Sequence, residues 1–150
     1  MAGLEGESTS EIDAPIEAVW ELVADVERAP DWQGGLKSLI AVQHDDDGRV
    51  VLADVEIDGK VRTIKGRMRF TYDGPTRLSW VQETGDVKGV NGSWELVDLG
   101  GTTRARYHTE VDLGRIGLII RGPAVGALRE QLAGARASEL KREVERGASS

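Results

Sequence analysis

The sequence predicts an α+β fold: an antiparallel sheet of seven strands covered by one long C-terminal helix. Three observations carry this. Residues 123–146 hold the one apolar pattern in the chain that keeps a helical period for about six turns. Between Leu36 and Leu113, six short stretches alternate apolar and polar residues, and turn signals separate them. A further alternating stretch and two short helical pieces precede them. Short connections favour antiparallel neighbours. One apolar face per strand leaves the other to water, so the apolar side needs the helix as its cover.

Glu5 to Ile12 alternates, with Ser8, Ser10 and Ile12 on one side and Glu7, Thr9 and Glu11 on the other. Asp13-Ala14-Pro15 changes the geometry. Pro15 suits a first helical turn, where its missing N–H has no partner to lose. Ile16, Val19, Trp20 and Val23 then form the buried face of a helix running to about Asp25. Glu27-Arg28-Ala29-Pro30-Asp31-Trp32 reads as a second, shorter helical piece broken around Pro30, and Gln33-Gly34-Gly35 releases the chain.

The expected strands are Leu36 to Gln43, Val50 to Ile57, Val61 to Tyr72, Arg77 to Glu83, Lys88 to Val97 and Thr103 to Leu113. Asp58-Gly59 is a two-residue hairpin signal. Asp45-Asp46-Asp47-Gly48, Asp73-Gly74-Pro75, Thr84-Gly85-Asp86 and Leu99-Gly100-Gly101 turn the chain elsewhere. The third of these strands alternates best: Ile64, Met68, Phe70 and Tyr72 face one way, and Thr63, Lys65, Arg67 and Arg69 the other. Leu78, Trp80 and Gln82, then Val90, Trp94 and Leu96, then Ala105, Tyr107, Thr109, Val111 and Leu113 extend the inward set.

In the long helix, Pro123 suits the start and Gly147 the stop. Val125, Leu128, Leu132 and Ala135 share a face. After Gly134 the apolar positions become Ala137, Leu140 and Val144, on a face rotated by roughly a third of a turn. Either the helix bends near Gly134 or its halves pack on different surfaces. Glu139 projects along the first face, as a helix end in solvent or a carboxylate at a cavity rim. Glu139/Arg142 and Glu143/Arg146 are expected as i,i+3 pairs on the outer surface.

The 150 residues suffice for one domain with a substantial core. No run of 18 apolar residues marks a transmembrane helix, and residues 1–7 lack the basic and apolar regions of a signal peptide. A cytoplasmic location is expected. Zero Cys excludes disulfides and thiolate metal sites. A net charge of −7 argues against nucleic-acid binding and against a strongly anionic membrane surface.

Ile12-Asp13-Ala14-Pro15, Val19-Trp20 and Asp25-Val26-Glu27-Arg28-Ala29-Pro30-Asp31-Trp32 resemble the N-terminal signature of the START/Bet v1-like (SRPBCC) superfamily. The nearest branch is its bacterial polyketide cyclase/dehydrase and lipid-transport branch. Tyr72-Asp73-Gly74-Pro75, Leu78-Ser79-Trp80, Gly92-Ser93-Trp94-Glu95-Leu96, Gly101-Thr102-Thr103-Arg104 and Leu140-Lys141-Arg142-Glu143-Val144-Glu145 follow in the family's order. The resemblance implies one START/Bet v1-like domain over residues 1–150, ordered over about 5–146. It implies a helix-grip fold: a curved seven-stranded antiparallel sheet around the long C-terminal helix, two short helices after the first strand, and a cavity between sheet and helix. The matching positions are mostly scaffold, so no catalytic residue is carried over.

Given such a cavity, the inward positions supply its candidate ligand-binding residues: Trp20, Met68, Phe70, Tyr72, Trp80, Gln82, Trp94, Tyr107, Thr109, Leu128 and Leu132. Indole N–H and phenol O–H groups would orient a mostly apolar ligand there. The apolar stretch Arg115-Ile116-Gly117-Leu118-Ile119-Ile120-Arg121-Gly122 packs under the helix or gates the cavity. Ile116, Leu118, Ile119 and Glu139 are thus cavity-mouth candidates.

The Asp45–Gly48 run lacks the flanking helices of a calcium loop and reads as a solvated turn. His44 and His108 read as surface residues, and no nucleophile elbow is present. Lys65, Arg67 and Arg69, with Arg62 nearby, read as a cationic stripe that keeps an outer face soluble. No metal and no cofactor is expected. Three functions follow: binding or transport of a small hydrophobic ligand such as a lipid, isoprenoid or polyketide; a polyketide cyclase/dehydrase using Tyr72, Gln82, Tyr107 and Glu139; or an interaction module without ligand. The expected partner is a small hydrophobic molecule, with a transient membrane or protein contact at the mouth, in a monomer or homodimer.

Overall fold

Alternation along the strands becomes one seven-stranded antiparallel sheet in the computed structural model, which describes residues 3–59, 62–118 and 122–148. Its strands are β1 (Gly3–Ile12), β2 (Leu36–His44), β3 (Val50–Asp58), β4 (Thr63–Asp73), β5 (Arg77–Gly85), β6 (Gly89–Asp98) and β7 (Thr103–Asp112). Their order is β1-β7-β6-β5-β4-β3-β2. Only β1 leaves its sequence neighbour. It pairs with β7, because α1 (Ile16–Ala24), a 3-10 turn (Val26–Arg28) and α2 (Ala29–Trp32) carry the chain across to the opposite edge. β2 to β6 run one or two residues past their expected C-terminal ends and β1 two before its expected start, whereas β4 and β6 start later and β7 stops one residue earlier than expected.

Two local expectations change. Pro30 does not break a helix; it sits in the first turn of α2, where no N–H is needed. The Asp58-Gly59 signal does not make a two-residue hairpin. Asp58 pairs with Thr63, and Gly59 N–H reaches back to Arg62 O at 3.0 Å, so the connection spans 59–62; Lys60 and Val61 lie outside the described residues.

The register lays inward residues in rows across the strands. Ser8, Tyr107, Trp94, Leu78 and Tyr72 form one row; Gly6, Thr109, Gly92, Trp80 and Phe70 form the next. The second row is small at Gly6, Thr109 and Gly92 and large at Trp80 and Phe70. A Cβ on Gly92 would lie 2.5 Å from the Trp80 ring, and one on Gly6 would lie 2.8 Å from Ala133 Cβ. Glycine therefore lets an indole cross one strand and the C-terminal helix approach another.

That helix has three parts: α3 (Pro123–Arg129), a π-helical turn (Glu130–Gly134) and α4 (Arg136–Ala148). β1 supplies the physical cause. Ser8 Oγ accepts the N–H of Ala137 at 3.1 Å and donates to Ala133 O at 2.8 Å. Its hydroxyl thus stands within the i→i+4 ladder. Ser10 Oγ donates to Ala137 O at 2.7 Å. The wide turn rotates the apolar face, so Leu128 is followed by Ala133, Ala137, Leu140 and Val144 in the core, while Ala135 is only half-buried. Leu128 and Leu140 are fully buried, each contributing roughly 1.5–3 kcal/mol by leaving water.

The core divides into two clusters. One joins α1 and α4 to the middle of the sheet through Ile12, Val19, Leu78, Trp94 and Leu140. The other lies under α3 and includes Leu4, Val111, Ile116 and Leu128. No helix among the described residues is long and apolar enough to cross a membrane.

Candidate functional site

Between the two clusters, the hollow of the sheet stays open. The cavity is small, about 100 Å³, and is lined almost wholly by apolar side chains. Its floor comes from the inward residues of β2 to β7. Val23, Val26 and Ala29 close it from the α1–α2 side, Gln33 and Gly35 from the loop before β2, and Leu132 and Arg136 from the C-terminal helix. Four aromatic rings run through this mostly aliphatic floor. Phe70 and Trp80 centroids stand 6.4 Å apart, Trp80 and Tyr107 5.6 Å, and Tyr107 meets Trp94 at 4.8 Å edge to face. Such packed rings hold a rigid wall, because each fixes its neighbour's rotamer.

Seven of the eleven inward candidates line the cavity: Met68, Phe70, Trp80, Trp94, Tyr107, Thr109 and Leu132. Trp20, Tyr72, Gln82 and Leu128 do not. Trp20 and Tyr72 pack against each other edge to face at 6.5 Å, with the Arg49 guanidinium over both rings, and Gly74 lies flat against the Trp20 indole. The Tyr72 hydroxyl donates to Val50 O at 2.6 Å. Burial pushes its pKa up to about 12 against the opposing charge of Arg49. Gln82 Nε2 donates to Val87 O at 3.0 Å and so holds the turn before β6. Leu128 belongs to the cluster under α3.

None of the described mouth candidates lies on the lining. Ile116 is buried in the second cluster, within a 3-10 turn over Gly114–Leu118, and Leu118 is 65 % exposed. Ile119 lies outside the described residues. Glu139 is neither in solvent nor on the wall. Its Oε2 accepts the N–H of Gly34 at 3.0 Å, and its Oε1 stands 3.1 Å from Arg136 Nε. The expected Glu139/Arg142 pair is replaced by this inward one, whereas Glu143–Arg146 forms as expected.

Arg136 is the residue that the sequence reading missed. It is 4 % exposed and is the one charged residue on the lining among those described. The signal was present: Arg136, Leu140 and Val144 follow one another at i+4, so a face rotated onto Leu140 and Val144 brings Arg136 inward with them. The contact with Glu139 is close but poorly aligned, and neither Arg136 Nε nor Glu139 Oε1 has a hydrogen-bond partner among the described residues. Tyr107 lies in the same field. Burial pushes its pKa up to about 12, with Arg136 opposing that shift and Glu139 adding to it.

The remaining candidates stay apart from the cavity. Asp45 Oδ1 accepts the N–H groups of Asp47 and Arg49 and so closes a turn. On the outer face, Arg67 pairs with Asp54, Arg69 with Glu83 and Arg62 with Asp86, so neighbouring carboxylates balance these arginines. His44 faces Glu27 at 3.6 Å. His108 lies 3.0 Å from Glu5 and 3.9 Å from Glu110, with its side chain mostly covered.

Comparison with known proteins follows this geometry. Residues 12–141 match a family model described as polyketide cyclase / dehydrase and lipid transport. No curated protein matches the chain. Among solved structures, a START superfamily protein from Mycobacterium smegmatis superposes with a TM-score of 0.80 at 21 % identity, covering 95 % of this chain and 97 % of that one. A protein from Thermus thermophilus gives 0.80 at 21 %, covering 98 % and 100 %. The ZhuI aromatase/cyclase from Streptomyces sp. R1128 gives 0.78 at 17 %, covering 96 % and 94 %. At these identities the likeness is one of fold.

Proposed function

This chain belongs to the polyketide cyclase / dehydrase and lipid transport family, and we propose that it binds a small hydrophobic ligand, of lipid, isoprenoid or polyketide type, in the cavity between sheet and C-terminal helix. The observation that carries this reading is the cavity itself: about 100 Å³, walled by Met68, Phe70, Trp80, Trp94 and Leu132, with few polar groups. Open space beside aromatic surface favours an apolar guest, because each buried methylene contributes about 0.8 kcal/mol. Binding is favoured over catalysis by the chemistry of the wall. Among the described residues the lining holds no carboxylate and no imidazole, and Tyr107, held near 12, is a poor proton donor at neutral pH.

Native mass spectrometry of freshly purified protein, followed by organic extraction, tests this reading. One small apolar molecule per chain is expected, either co-purified or taken up from 2-isopropylnaphthalene added in excess. A clean apo mass under both conditions would overturn it. Tyr107→Phe is expected to weaken uptake while leaving the Tm nearly unchanged. A large fall in Tm with unchanged uptake would make Tyr107 a packing residue instead.

A further inference from the structure

An apolar guest alone leaves one feature of this cavity unused. Arg136 carries five N–H donors on a planar fork. It is 4 % exposed, it lies on the cavity wall, and its Nε has no hydrogen-bond partner among the described residues. Its charge is offset by Glu139, 3.1 Å away, but the misaligned contact does not satisfy its donors. Glu139 is itself held in place by the N–H of Gly34. A buried guanidinium with unsatisfied donors is costly until an acceptor reaches it.

Charge balance decides which acceptor. Arg136 and Glu139 cancel, and the rest of the lining is uncharged. A hydrocarbon guest would leave the donors empty. A carboxylate guest would satisfy them but add a net negative charge to a low-dielectric cavity already holding Glu139 beside it. A neutral carbonyl oxygen satisfies the donors and adds no charge. Resting on the reading of the cavity as a ligand site, we propose that the ligand carries a neutral carbonyl group, as a ketone, ester or lactone, seated on the guanidinium of Arg136. The carbon skeleton lies along Trp80, Trp94 and Phe70. The Tyr107 phenol, neutral and next to this pair, offers a second donor to the same oxygen.

Isothermal titration calorimetry at pH 8 with three naphthalenes of similar shape tests this: 2-acetylnaphthalene, 2-isopropylnaphthalene and 2-naphthoate. The ketone is expected to bind about tenfold or more tightly than the hydrocarbon, and more tightly than the carboxylate. In the double variant Arg136→Met/Glu139→Gln, which leaves no unpaired charge, the advantage of the ketone over the hydrocarbon is expected to disappear. Infrared spectra of the bound ketone are expected to show its carbonyl stretch lowered from the value in an alkane solvent, and this readout needs no variant to fold. Equal affinity of ketone and hydrocarbon, a preference for naphthoate, or an unshifted carbonyl would overturn the proposal while leaving the ligand site intact. Failure of all three compounds to bind would overturn the ligand-site reading, and the proposal with it.

Discussion

Tyr107→Phe should remove a specific part of the protein's sensitivity to alkali. The phenol sits in the cavity floor at 8 % exposure, and burial raises its pKa from 10.0 to about 12. Below pH 10 the phenol is neutral in both the folded and unfolded chains, so its contribution to stability is fully present. Between pH 10 and 12 the unfolded chain ionises first, and the contribution is lost as pH rises through the folded value. Two pKa units set a ceiling of roughly 3 kcal/mol, and at pH 11.5 about 2 kcal/mol of it is gone. Urea unfolding at pH 9 and pH 11.5, for wild type and Tyr107→Phe, measures this as a difference of differences. Every other ionisable group is shared by the two proteins and cancels. The wild type is expected to lose about 2 kcal/mol more than the variant over that interval. Equal losses would show that Tyr107 ionises as readily folded as unfolded, and would refute its placement in a desolvated wall. Phenolate absorbance of the folded protein gives an independent reading: neither tyrosine is expected to titrate near pH 10.

Other parts of the structure make equally direct predictions. Ser8→Ala removes the hydroxyl standing between Ala133 and Ala137; a loss of about 1–3 kcal/mol is expected, with faster amide exchange at Ala137, and an unchanged midpoint and exchange rate would contradict this account of the π turn. Gly92→Ala places a methyl 2.5 Å from Trp80 and should cost about 1–3 kcal/mol while shifting tryptophan fluorescence, whereas wild-type stability and emission would show that the indole lies elsewhere. Leu140→Ala opens a void where α4 meets the sheet and should cost about 2–5 kcal/mol in denaturant unfolding; a cost below about 1 kcal/mol would place Leu140 outside the core.

Trp20 and Tyr72 show how far inward-facing periodicity can be trusted. Alternation and helical spacing placed both on the covered side, and both are partly buried there. Yet they meet Arg49 and Gly74 at one end of the sheet, beyond the hollow, because burial by a neighbouring side chain and burial by a cavity give the same pattern. Met68, Phe70 and Trp80 carry that same pattern and do border open space. What separates the two groups is which side chains of other elements pack over them, which no single strand records.

The sequence by itself determined the order of strands and helices along the chain, the inward faces of β4 to β7, the covering helix and the change of phase near Gly134. Each of these follows from local periodicity, turn chemistry or the spacing of apolar residues along one element. Only the tertiary structure decided where the hollow lies and what it contains. Ser8 acts on the helix across 125 residues of sequence, turning Arg136 from an ordinary helical cation into the charged residue of the cavity wall. Glu139 likewise finds Gly34 across 105 residues rather than a partner on its own outer surface. A contact of that range leaves no periodic trace in the chain, because it depends on how two separately legible elements are packed together.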